Sequence, residues 1–133
     1  MVAQSMHQGF AEYLARNNVG RNAGHDDGSF HLVFDNQYRV AFLTGSGGTL
    51  WLESRVCELP ENPIERQALL THLLERAGNE IFLQTACLTL PKVGNLLIVQ
   101  QLVPAEAGVQ EFMRFLENFL NLLASYRSLA GVL

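Results

Sequence analysis

Met6, Phe10, Tyr13, Leu14 and Asn17 recur at helical spacing, which predicts a first helix over roughly residues 4–17. Residues 20–28, Gly-Arg-Asn-Ala-Gly-His-Asp-Asp-Gly, read as a polar loop. Three alternating runs follow. Phe30, Leu32 and Phe34 alternate with His31, Val33 and Asp35. Tyr38, Val40, Phe42 and Thr44 alternate with Arg39, Ala41 and Leu43. Leu50, Leu52 and Val56 alternate with Trp51, Glu53, Arg55 and Cys57. Period two predicts strands, and the connections Asp35-Asn36-Gln37 and Gly45-Ser46-Gly47-Gly48 are short enough to make them an antiparallel meander.

A second helix starts clearly. Asn62 suits the N-cap, Pro63 the first helical position, and Glu65 the third. Its stripe is Ile64, Ala68, Leu70, Leu73, Leu74 and Ala77, and Gly78-Asn79 predicts its end. Two more strands are expected over 81–90 and 95–103, with a turn at Pro91 to Asn95. Apolar residues on both faces of each predict central positions. A third helix is expected over 106–127, with Val109, Phe112, Met113, Leu116, Phe119, Leu120 and Leu123 facing the core. Phe115, Leu122 and Leu129 form a second stripe that one packed face leaves uncovered. The order α-β-β-β-α-β-β-α predicts an α+β fold, and 133 residues suit a single domain.

Composition changes this picture in one respect. Hydrophobic residues make up 48% and charged residues 17% of the chain, which excludes disorder and leaves apolar surface beyond the needs of one small core. That surplus predicts a partner. The net charge is −4, Lys92 is the sole lysine, and no basic cluster occurs, so neither nucleic acid nor an anionic membrane is an expected partner. No apolar run is long enough to span a bilayer. Gln4, Ser5, His7, Gln8 and Glu12 exclude a signal peptide from the N-terminal stretch.

Little in the chain speaks for catalysis. His7, His25, His31 and His72 show no metal-ligand spacing, and His25-Asp26-Asp27 reads as a solvated loop. Gly45 to Thr49 lacks the lysine of a phosphate loop and joins two strands, so a hairpin turn is expected. Cys57 and Cys87 lie in apolar strand patterns without CxxC spacing and read as buried reduced thiols suited to a cytosol. Glu53, Glu58, Glu61 and Glu65 are spread from a strand end to a helix start, where acids favour the helix dipole. The expectation is a protein with no enzymatic activity, no metal and no cofactor, ATP included.

The element order, together with Phe30-His31-Leu32-Val33-Phe34-Asp35, Leu69-Leu70-Thr71-His72-Leu73-Leu74 followed by Ala77-Gly78-Asn79, and Pro91 to Asn95 leading into Leu96-Leu97-Ile98-Val99, resembles the class I type III secretion chaperones, the CesT-like Tir chaperone family. The loop from Gly20 to Gly28 departs from the family's pattern. The resemblance implies a twisted, mainly antiparallel five-stranded sheet packed by helices. It implies a cytoplasmic bacterial homodimer that holds the N-terminal chaperone-binding segment of a secreted effector in extended form without ATP. The secretion apparatus would receive the complex, with its ATPase as a further partner. The alternative is a small ligand-binding or other protein-interaction α+β domain, which a deep polar pocket would favour.

Two sets of residues carry these expectations. Leu70, Leu73, Leu74 and Ala77, with Phe82 on the next strand, are expected at the dimer interface, unless the helix stripe packs on its own sheet. Phe10, Tyr13, Leu14, Phe30, Leu32, Phe34, Val40 and Phe42 are the expected effector-binding residues, about half of them filling the core beneath the helices.

Overall fold

The computed structural model describes residues 6–17, 29–80, 86–89 and 94–131, with backbone alone at 76–80 and 86. Helix α1 (Gln8–Arg16) leads to strands β1 (Phe30–Phe34), β2 (Tyr38–Thr44) and β3 (Leu50–Glu58). Helix α2 (Pro63–Glu80), strands β4 (Ala86–Thr89) and β5 (Leu96–Val103), and helix α3 (Val109–Leu129) complete the order. All pairings are antiparallel, in the sheet order β1-β2-β3-β5-β4. This is the expected α+β architecture. The 20–28 loop, the strand stretch 81–85 with Phe82, and Pro91 to Val93 lie outside the described residues.

Local chemistry explains the turns and caps. Asp35 and Asn36 both take positive φ, 53° and 57°, and the Gln37 amide donates to the Phe34 carbonyl at 3.0 Å. Two left-handed residues make the tight hairpin that matches strand twist, and Asp and Asn tolerate that region best after glycine. Asn62 caps α2, its Oδ1 accepting from the amides of Ile64 and Glu65 at 2.9 and 3.1 Å. The Arg66 guanidinium donates to the Asn95 side-chain oxygen, tying α2 to the start of β5.

Helix α1 begins later than its apolar period suggests. Met6 is exposed, and His7 is buried instead. The His7 ring accepts the Phe10 amide at Nδ1 (3.2 Å), and its Nε2 lies 2.7 Å from the Pro104 carbonyl. Only the neutral tautomer with its proton on Nε2 makes both bonds.

The core lies on one face of the sheet. Tyr38, Val40 and Phe42 of β2, Leu50, Leu52 and Val56 of β3, and Leu97, Val99 and Val103 of β5 are buried there. Helix α3 packs on β3 and β5, α1 lies against α3, and α2 touches α3 and sends Leu73 into the same core. Phe10 is the joint. It stacks on Phe42 (centroids 4.6 Å, 13° between planes) and tilts onto Phe112 at 5.5 Å. Gly9 permits this approach, because a Cβ there would stand 2.8 Å from the Ala107 carbonyl oxygen. Residues on the opposite face are half-buried or exposed, including the cross-strand row Leu43–Trp51–Leu102.

Several expectations are corrected. Helix α2 runs through Gly78 and Asn79 to Glu80, since one interior glycine costs a helix only about 1 kcal/mol. Strand β4 is at the sheet edge, while β5 is interior; an apolar run alone does not distinguish an edge from a centre. Met113 is 46% exposed, and the buried line of α3 is Phe112, Leu116, Phe119, Leu123 and Tyr126, joined by Val109 and Leu122. Helical rotation carries Met113 about 100° away from Phe112. Cys87 is exposed on β4 and Cys57 half-buried on β3.

Removing the joint should loosen all three layers. Phe112→Ala should cost about 3–5 kcal/mol in urea unfolding. Gly9→Ala should cost about 1–3 kcal/mol, because backbone has to move. A loss under about 1 kcal/mol for Phe112→Ala would show that the aromatic joint does not hold the fold.

Candidate functional site

The aromatic joint does not stop at the core. Phe30 stands edge-on to Phe10 at 5.5 Å, Tyr13 tilts onto Phe112 at 5.2 Å, and Phe34 reaches Phe42 at 6.4 Å. These outer rings are only half-buried. Register explains why. Phe30, Leu32 and Phe34 pair with Phe42, Val40 and Tyr38, so all three share the face that the helices cover. Helix α1 is nine residues long and ends at Arg16, and it leaves the outer margin of that face partly open. The result is a strip of apolar side chains along β1 with Tyr13 above it. Burial raises the Tyr13 phenol pKa above its ordinary value.

β1 is also an edge strand, paired only with β2 among the described residues. An edge presents unpaired backbone donors and acceptors, and an extended chain can satisfy them while alternate side chains enter a neighbouring strip. On the outward side of β1, Val33 is 60% exposed. The arrangement is suited to binding an extended apolar segment. Among the described residues no three His, Cys, Asp or Glu side chains gather as metal ligands.

The family model of the Tir chaperone protein (CesT) family matches residues 11–127, from the middle of α1 to the last turns of α3. The chain belongs to this family. It is a chaperone of the type III secretion class. No curated protein sequence matches the chain. Among solved structures, this family member is similar in fold to a chain in the HopA1–SchA chaperone–effector complex (TM-score 0.66, 18% identity, 88% of each chain covered). It is similar to a chain in the ExsC–ExsE complex (TM-score 0.65, 20% identity, covering 90% of this chain and 89% of the other). A third likeness is to the Yersinia pestis type III secretion chaperone SycH with a stable fragment of YscM2 (TM-score 0.61, 10% identity, covering 89% and 96%).

The expected effector-binding residues of this CesT-family chain divide evenly by burial. Phe10, Leu14, Val40 and Phe42 are in the core, at most 8% exposed. Tyr13, Phe30, Leu32 and Phe34 are half-buried against it and form the strip. On α2, Leu73 is fully buried within its own chain, Leu70 is half-buried, and Leu74 is 57% exposed. The Ala77 side chain and Phe82 lie outside the described residues. Ile64, 80% exposed at the start of the same helix, was in the sequence stripe but not among the interface residues. Helical period put Leu73 and Leu74 in one stripe, and only packing separates them.

The thiols give a check on this placement. Burial raises the Cys57 pKa above its ordinary value. A group whose pKa rises on folding stays neutral in folded and unfolded chains at pH 7, so folding suppresses its thiolate only in alkaline solution. Iodoacetamide at pH 8.5 should therefore label exposed Cys87 first and Cys57 only slowly, with the difference lost in denaturant. Equal rates on the folded chain, read by mass spectrometry, would contradict the burial of Cys57.

Proposed function

We propose that this chaperone is a single-domain cytoplasmic homodimer that holds the N-terminal segment of a type III effector in extended form, without ATP, and delivers it to the secretion apparatus and its ATPase. The observation that carries this reading is the half-buried strip of Tyr13, Phe30, Leu32 and Phe34 beside β1, an edge strand paired with β2 alone among the described residues. The similar folds in chaperone–effector structures support it. The strip gives a client segment a few apolar anchors, which offset the entropic cost of ordering it, and β1 gives it backbone partners. No hydrolytic, transfer or redox step is assigned to the chain.

Dimerisation is assigned to α2, whose Leu74 and Ile64 are 57% and 80% exposed. Burying a leucine contributes about 1.5–3 kcal/mol, and a two-fold axis uses each contact twice. Leu73→Asp would strike the protomer's own core, so Leu74→Asp is the informative change. Light scattering at micromolar concentration should find a wild-type dimer and a folded Leu74→Asp monomer. A wild-type monomer contradicts the assignment.

Client capture is tested with Tyr13→Asp, Leu32→Asp and Phe34→Asp, each first shown by circular dichroism to be folded. The wild-type chain should retain its secreted effector in a pull-down at about 0.5 M salt, roughly three times physiological ionic strength, because apolar burial is not screened. Each variant should lose most of it. Full retention by every folded variant places the site elsewhere.

A further inference from the structure

The open face of the sheet holds a feature that the apolar strip does not use. A cavity of about 410 Å³ reaches from there to α3 and is lined by Arg39, Ala41, Arg55, Ile98 and, from α3, Arg127. Three of the nine basic residues of a chain with net charge −4 thus converge on one depression. Arg39 is on β2 and Arg55 on the neighbouring β3, and both side chains line the depression. Neither arginine has an ion-pair partner among the described residues, where the one ion pair is Arg16–Glu12. Glu53 is the one carboxylate lining the cavity, and it accepts instead from Gln100 Nε2 at 3.0 Å.

Arg127 is held in place. Its Nε and Nη2 donate to the Arg55 carbonyl at 3.1 and 2.9 Å, its Nη1 to the Gln37 carbonyl at 3.1 Å, and its guanidinium lies 5.5 Å from the Tyr38 ring centroid. Carbonyls take three of its five N–H donors without neutralising its charge. The cavity is therefore a positive site with apolar residues in its lining, and its fitting ligand is a carboxylate on an aliphatic stem. No basic run extends the site beyond these three arginines, so it lacks the track of positive charge that a nucleic-acid backbone needs.

We propose that this cavity binds acidic side chains of an extended peptide, and that the client segment alternates apolar with acidic residues. This rests on the chaperone reading above. His31, on β1, also lines the cavity, so the arginines are reached from the same edge as the strip. A strand added to β1 directs successive side chains to opposite faces. One set meets Phe30, Leu32 and Phe34; the other projects over the open face. Strands are spaced about 4.8 Å apart, so the added strand runs about 10 Å from β2, a distance that Arg39 and a facing carboxylate span together, while Arg55, one strand further, adds its positive field.

The test uses two fluorescein-labelled decapeptides, one alternating valine with aspartate and the other valine with asparagine, titrated by fluorescence anisotropy. The aspartate peptide should bind about tenfold or more tightly than the asparagine peptide at low ionic strength, as expected for a charge-assisted hydrogen bond. That advantage should fade with added salt and vanish in the Arg39→Gln/Arg55→Gln double variant, whose altered side chains are exposed and should leave folding unchanged. Equal affinity for the two peptides, or an advantage that persists in the double variant, overturns the proposal. A chain that retains its secreted effector at high salt but shows no aspartate preference overturns the arginine site alone and leaves the chaperone reading standing.

Discussion

The stack of Phe10 on Phe42, closed by Phe112, is the contact on which the other packing depends. It is the point where the first helix, the sheet and the last helix meet. Large aromatic side chains bury the most apolar area per residue, and here three of them share one site. The approach needs Gly9 against the carbonyl of Ala107. It also fixes the start of α1, because the His7 ring that caps this helix is bonded to Pro104, ahead of α3. The position of α1 over the sheet is therefore set from both ends of the chain.

That position decides what remains outside. A nine-residue helix covers Phe42 through Phe10 but leaves Phe30, Leu32 and Phe34 half-buried along the edge strand. The same aromatic series that forms the core thus continues to the surface, where each ring is backed by a buried partner. Anchors that are packed in place before binding lower the entropic cost of ordering an unfolded segment. Exposed apolar residues on α2 lie on a separate element, so on the proposed function client binding and self-association use different side chains.

The elements and their order were legible in the sequence because they rest on local signals: period two in β2 and β3, the Asn62-Pro63 start of α2, and the Asp35-Asn36 turn. The end of α2 was not, because Gly78 and Asn79 only weaken a helix, and neighbouring structure decides whether it stops there. The site was half legible. Alternation identified Phe30, Leu32, Phe34, Val40 and Phe42 as one face, but how far a helix overhangs that face depends on its docking angle. Nor does period show that Leu73 turns inward and Leu74 outward. The arginine cavity was not visible either, since Arg39, Arg55 and Arg127 are distant in sequence and no basic run marks them.

The central claim is that an extended client pairs with the β1 edge beside the aromatic strip. Hydrogen–deuterium exchange of the chain alone and with its bound effector reads this directly, because added backbone pairing slows amide exchange in the strand that gains it. The largest slowing is expected across Phe30–Phe34, with a smaller effect on α1 around Tyr13. Unchanged exchange in β1, with protection instead on the outer side of α3 around Met113 and Phe115, would contradict it.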